Sequence, residues 1–328
     1  MTREIAVIGA GAWGTALALL CARAGNNVTI FARDPLVVDE INHCQSNQKF
    51  LPQLIFDVAI KATTRMEDTA EKDAYVLAVP AQQNRAALQN LASVVPATSP
   101  IVLTSKGIEQ STLFFMSEVL ESELSGQPFA VLSGPNFSGE IAQSLPAAAT
   151  LAVMPGREDL MNIFATNNFR PYLSYDIIGV QVAGAVKNVL AIASGMVTGA
   201  GLGENARAAL ITRGMAELIR LGLAKGGQMD TFLGLSGYGD VLLTCTSLQS
   251  RNMSFGYSLS QGKQLSDHLK EGVFTAQTIV DLSQKYAVEM PICSSVYKVI
   301  SGASDIPTEL ITLMSRPLQK EFSRAPTR

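Results

Sequence analysis

The tightest constraint on this chain is a set of three glycines near its start, Gly9, Gly11 and Gly14 in GAGAWG, directly after the apolar run Glu4 to Ile8 (EIAVI). An alanine- and leucine-rich segment follows and stops at Gly25. Read in order, these are a strand, a turn and a helix. Each glycine has its own mechanical reason: Gly9 allows the tight turn, Gly11 lets backbone approach a pyrophosphate, and Gly14 lets the helix lie close on the strand. The helix N-terminus, with its unpaired N–H groups, then faces the anion. A second strand is expected at Asn27 to Ala32 (NVTIFA), so the pattern is a dinucleotide-binding unit rather than an isolated glycine turn.

The same glycines dispose of a competing reading. From Ile5 to Ala22 there are 18 residues without a charge, which by hydropathy alone could be a signal peptide or a membrane span. Broken into strand, turn and helix, the run needs neither. The protein is expected to be soluble and unprocessed, with no membrane span.

In a site selective for NAD, an acidic residue at the end of the second strand bonds the ribose 2′-hydroxyl. Here that place reads Arg33-Asp34. Arg33 can neutralise a 2′-phosphate or stack on adenine, while Asp34 keeps NAD open, so the cofactor is NADP or NAD with a slight lean to NADP. Further strands are expected at Val58 to Ala62, Tyr75 to Val79, Ile101 to Thr104 and Ala130 to Leu132, with helical patterns between several of them. That order implies a Rossmann-type, doubly wound, mostly parallel sheet over residues 1–178, whose ligands bind beyond the carboxyl ends of its strands. Lys106, just past one such end and followed by Gly107, is placed to reach that crevice.

From about Val180 the strand pattern stops and long helical stretches take over, such as Ala206 to Lys225, so residues 179–328 are expected to form an all-α domain closing over the crevice. Lys187 stands out there. Its neighbours at helical spacing are Ala183, Gly184, Leu190 and Ala191, a smooth surface that could hold a small substrate. Taken alone, a lysine whose head reaches water is the better reading. Ser250-Arg251-Asn252 joins a hydroxyl, a guanidinium and an amide, a set that suits a phosphate, although a helix cap with a surface arginine explains it too. Asp240 reads either as an N-cap or as the group that orients a catalytic side chain. Glu271-Gly272 could close over the ligand or form a solvated turn.

Composition limits the chemistry. A net charge of −3 with no dense basic block leaves no footprint for nucleic acid, so any bound phosphate should be a small one. Cys21, Cys44, Cys245 and Cys293 form no CxxC, and His43 and His268 lie outside any HExxH, so no metal site, disulfide framework or histidine triad is suggested. A reducing cytoplasm fits.

Taken together the motifs resemble the bacterial-type NAD(P)-dependent glycerol-3-phosphate dehydrogenase family. The resemblance rests on GAGAWGTALA, NQKFLP near residue 50, SKGIE at 105–109, SGPNFSGE at 133–140 and GAVKNVLAIASGM at 184–196. It continues through NARAALITRGMAE at 205–217 and GYGDVLLTCTSLQSRNMSFG at 237–256, and so spans nearly the whole chain. It implies oxidation of sn-glycerol 3-phosphate to dihydroxyacetone phosphate and the reverse, the reduction supplying phospholipid synthesis, by a homodimer that uses no metal. It further implies that Lys187 is the proton acceptor, with Lys106 and Asp240 beside it. Substrate contacts would be Lys106, Gly134, Asn136, Lys187, Asp240, Ser250, Arg251 and Asn252. Cofactor contacts would be Ala12, Trp13, Arg33, Lys106, Ser138, Arg251 and Glu271, in addition to Gly9, Gly11 and Gly14.

This chain departs from the family pattern at Asn136, where a small hydroxyl residue is usual, at Ser138-Gly139 in place of Ala-Lys, and at Phe50 in place of Tyr. Two other readings fit the same residues: a related β-hydroxy acid or sugar acid phosphate dehydrogenase, and a non-catalytic NAD(P)-binding sensor.

Overall fold

The computed structural model describes residues 2–263 and 270–318, the side chains of 270–273 excepted. Eight strands form one sheet among these residues: β1 (Glu4–Ile8), β2 (Asn27–Phe31), β3 (Lys61–Thr63), β4 (Ala74–Leu77), β5 (Ile101–Leu103), β6 (Phe129–Ser133), β7 (Ala147–Val153) and β8 (Phe169–Ser174). Their spatial order is β3-β2-β1-β4-β5-β6-β7-β8. Neighbours are parallel except β6 and β7, which pair antiparallel from Ala130↔Val153 to Ser133↔Thr150. The chain leaves β1 for β2 on one side and returns to β4 on the other, which opens a crevice at the carboxyl end of β1. Helices α1 (Ala12–Arg23), α2 (Pro35–Cys44), α3 (Asn84–Leu91), α4 (Met116–Glu123) and α5 (Ser138–Ala142) belong to this half. Two apolar clusters, one around Ile5, Val7, Leu17 and Val76 and one around Ile8, Tyr75, Leu77 and Leu103, fill the two faces of the sheet.

Two strands escaped the sequence reading, and one lies elsewhere than expected. β7 is Ala147-Ala-Ala-Thr-Leu-Ala-Val153, whose alanines carry no β signal of their own. β8 contains Pro171, which has no N–H to give a ladder and is tolerated at a sheet edge, where β8 sits. β3 begins at Lys61 rather than Val58 and pairs only through Thr29, Ile30 and Phe31 of β2.

The helical half begins with α6 (Ile177–Gly199), followed by α7 (Glu204–Lys225), α8 (Met229–Leu233), α9 (Asp240–Thr246), α10 (Arg251–Ser260), α11 (Lys270–Lys285), α12 (Pro291–Ile300) and α13 (Ile306–Met314). Asp176 starts α6, its carboxylate accepting the N–H of Gly179 at 2.8 Å. α6 is buried along most of its length, largely by apolar and small residues, and α7, α9, α10, α11 and α12 surround it. It is long and apolar enough to cross a membrane, but 83% of its most apolar window is buried inside the protein, the condition of a core helix. Its small residues make that burial possible. A Cβ on Gly195 would meet the Met253 carbonyl of α10 at 2.0 Å, and one on Gly256 of α10 would meet the Ile192 carbonyl at the same distance.

Candidate active site

The glycine turn meets the mechanical requirements for a dinucleotide. Gly9 has φ +109°, and a Cβ on Gly14 would sit 1.8 Å from the Gly9 carbonyl, so helix and strand touch at that point. Gly11 caps α1 with no side-chain bond, and a Cβ placed on it meets nothing within 4 Å. The first turn of α1, with Ala12, Trp13 and Gly14, carries no acidic residue. Free N–H groups, open space and absence of negative charge fit a pyrophosphate.

On the other wall of the crevice three charged side chains form one chain. Lys187 of α6 donates from Nζ to Asp240 Oδ1 at 2.6 Å, and Lys106, just beyond β5, donates to Asp240 Oδ2 at 2.7 Å. Lys106 also donates to the Gly134 carbonyl at 3.0 Å, tying the loops after β5 and β6 together. The side chain of Asp240 is 1% exposed, that of Lys187 9% and that of Lys106 19%, so the chain is dry at its centre and wet at one end. Burial is the main force on the Lys187 ammonium and lowers it to about 8, with Lys106 adding to the fall and Asp240 opposing it. For Asp240, burial alone would raise the carboxyl. The ammonium groups of Lys106 and Lys187 outweigh it and hold the group below its ordinary value.

Local structure explains how Asp240 gets there. A π-helical turn, Leu235–Gly239, leads into α9 and requires Gly237, where a Cβ would lie 2.2 Å from the Phe232 carbonyl. Asp240 is the first residue of α9, yet its carboxylate makes no cap; Gly239 is the N-cap, and the side chain of Asp240 serves the two lysines. Of the two readings of Asp240, the cap is absent, and its carboxylate is bonded to the two ammonium groups instead.

Two residues in this constellation were not among the expected ones. Thr244, one turn after Asp240 on α9, accepts from Lys187 Nζ at 3.0 Å and lies 3.2 Å from Asp240 Oδ1. The i, i+4 spacing of Asp240 and Thr244 in DVLLT could have indicated it. Asn188 donates to the Lys106 carbonyl at 3.3 Å and accepts from Asn252 at 3.0 Å, joining α10 to the lysines; nothing short of the fold indicates this contact.

The remaining expected residues divide. Asn252 is joined to the lysine chain through Asn188. Ser250 accepts the Met253 N–H at 3.3 Å and is the N-cap of α10, while Arg251 at the first position of that helix is exposed, with no carboxylate partner among the described residues. Asn136 donates to the Ala148 carbonyl of β7 at 3.2 Å, and its buried Oδ1 has no partner among the described residues. Ser138 is the first residue of α5, and Arg33 is exposed with Nη2 3.4 Å from Gln83 Oε1. The expectation for Glu271 falls outside the described side chains. One expectation needs correcting: the small neighbours of Lys187 do not leave an open seat for substrate. Ala183, Leu190 and Ala191 are 0% exposed, Gly184 lies against the stem of Lys106 and the hydroxyl of Ser133, and Leu190 packs on Gly214. Their size serves close packing around the lysine.

A dinucleotide crevice faced by a buried, partly deprotonable lysine defines a class, the nicotinamide-dependent dehydrogenases. Comparison with known proteins narrows it. Residues 4–158 match the family described as NAD-dependent glycerol-3-phosphate dehydrogenase N-terminus, and residues 176–311 match its C-terminus. The chain therefore belongs to the NAD-dependent glycerol-3-phosphate dehydrogenase family. The glycerol-3-phosphate dehydrogenase [NAD(P)+] of Parvibaculum lavamentivorans is 45% identical over 97% of this chain and 98% of its own, and that of Rhodospirillum rubrum 47% over 97% and 94%. A crystal structure of glycerol-3-phosphate dehydrogenase from Coxiella burnetii, 36% identical, superposes with a TM-score of 0.90 over 96% of this chain and 99% of that one. The chain is an NAD(P)-dependent oxidoreductase with a Rossmann-type sheet and a helical C-terminal half.

Proposed function

We propose that this enzyme interconverts sn-glycerol 3-phosphate and dihydroxyacetone phosphate, with Lys187 as the group that takes and returns the proton on the C2 oxygen. The observation that carries the proton role is the Lys187–Asp240 pair: an ammonium lowered to about 8 by burial can hold or release a proton near neutral pH. A nicotinamide held in this crevice would supply the hydride acceptor for C2 of the alcohol and the hydride donor for C2 of the ketone. In oxidation, neutral Lys187 removes the hydroxyl proton; in reduction, the ammonium form protonates the oxygen as hydride arrives, and Lys187 is left neutral. Asp240 and Thr244 keep Nζ aimed, and Asp240 keeps two like charges together in a dry site. Lys106 brings a second cation to the crevice, suited to an oxyanion. Exposed Arg251, beside Asn252, offers the guanidinium and amide that a phosphate needs. The N-terminal turn of α1 holds the pyrophosphate, with Trp13 beside it, and Ser138 adds to the cofactor contacts. Division near residue 178 makes residues 1–178 the nucleotide unit and 179–328 the substrate unit. A cytoplasmic homodimer feeding phospholipid synthesis is the setting that the family relation supports.

The test is oxidation of NADPH and of NADH with dihydroxyacetone phosphate; no turnover with either ends this reading. Lys187→Ala should then lower kcat about 100-fold or more, with cofactor affinity nearly unchanged. Turnover near wild type in that variant would remove Lys187 from the mechanism.

A further inference from the structure

The NQKF stretch after α2 takes no part in the lysine chain, yet it is bolted to the cofactor turn. Asn47 is fully buried, and its amide donates to the Ala10 carbonyl at 3.0 Å and to Thr15 Oγ1 at 2.8 Å, both next to the glycines. Two residues on, Lys49 Nζ lies 2.7 Å from Asp34 Oδ2. The other oxygen of Asp34 accepts the Leu36 N–H at 3.1 Å as the cap of α2. Beside them Arg33 stands exposed at the carboxyl end of β2. The place where a dinucleotide presents its ribose 2′ position thus carries two cations and one carboxylate, and both oxygens of that carboxylate are engaged.

We propose that Lys49 is a specificity-determining residue of the cofactor site, masking Asp34 and providing, with Arg33, the second cation for a ribose 2′-phosphate. The inference rests on the NAD(P)-dependent reading above and adds to it how one site takes both cofactors. A bare aspartate at this position favours the 2′-hydroxyl and repels a 2′-phosphate. With Lys49 paired to it, the three side chains sum to a formal charge of about +1, and the repulsion is cancelled. The Lys49 side chain is 58% exposed, and an exposed ion pair is cheap to open. Its flexible stem can swing the ammonium from carboxylate to phosphate when NADP binds and leave it in place when NAD binds.

This assignment has opposite signs for the two cofactors, which a merely structural lysine would not. Binding of NADPH and NADH is read by nicotinamide fluorescence, and binding of adenosine 2′,5′-bisphosphate and AMP by calorimetry, so that no turnover is needed. Lys49→Met should weaken NADPH and the bisphosphate by about tenfold or more, and leave NADH and AMP within about twofold or tighter. Lys49→Arg should restore NADPH binding, and Asp34→Asn, which removes the masked charge but keeps a cap for α2, should tighten NADPH and leave NADH within about twofold. Lys49→Met shifting both cofactors by the same factor, or neither, overturns the proposal. So does a wild-type chain that binds neither dinucleotide. A wild type that binds both but reduces no dihydroxyacetone phosphate would end the substrate reading and leave this one to stand on the binding ratios.

Discussion

Asp240 and Glu217 are each 1% exposed, and their carboxyls move in opposite directions. Asp240 sits between two ammonium groups, which outweigh the effect of burial and hold it below its ordinary value. Glu217, on α7, accepts the N–H groups of Ile292 and Cys293 at 2.7 and 3.1 Å, at the start of α12. Burial dominates there and pushes it up to about 7, although the two N–H bonds pull the other way. Partial charges at a helix start, roughly half an elementary charge, do not offset desolvation as two full charges do. Set between two ammonium groups, a buried acid holds like charges together in a dry site; set against backbone, it staples two helices.

The largest effect is expected at Asp240. Asp240→Asn removes the anion that holds two cations together, and we expect kcat to fall about 100-fold or more, with the pH transition of the remaining activity displaced below that of wild type. An unchanged pH profile would separate Asp240 from the lysine. Glu217→Ala should instead leave kcat per folded molecule within about twofold and lower stability by about 2–3 kcal/mol, read as a lower thermal midpoint and faster hydrogen exchange along α12.

Smaller effects are expected with pH. Lys187 has a folded value of about 8, below the ordinary 10.5, so oxidation should gain rate as pH rises through about 8 while reduction loses it. The same depression means that the buried ammonium costs stability below pH 8, and that this cost is relieved between about 8 and 10.5. Glu217 has the reverse arrangement, an acid raised from 4.5 to about 7. Its folded form holds the proton more tightly, so stability should decline as pH rises through that window. Glu217→Gln should flatten that decline, with a change of less than about 1 kcal/mol at pH 5, where the native side chain is already mostly protonated. A slope that persists in the variant would place its source elsewhere.

How far the sequence could be read follows from the range of the forces involved. The glycine turn was legible because close approach and positive φ are local demands, met by Gly9 and Gly14 within one short segment. α7 was legible because periodicity is local too, and its observed span, Glu204–Lys225, nearly coincides with the expected one. β7 and β8 were not, since an alanine strand and a proline strand become strands only when β6 and each other offer partners. At the site, the residue types at 106, 187 and 240 pointed to chemistry and the cap at Ser250 was one of two readings, whereas the contacts of Thr244 and Asn188 emerged only from the fold.

By itself the sequence determined a pyrophosphate turn, the change from sheet to helix near residue 178, and a lysine among small residues that needed a reason. Tertiary structure alone decided what that lysine is. Lys187 and Asp240 lie 53 residues apart in the chain, and the balance of burial, attraction to Asp240 and repulsion from Lys106 exists only once α6, α9 and the loop after β5 have packed together. Desolvation and charge act through space, so the sign of the shift at Lys187 belongs to the fold rather than to any segment of the chain.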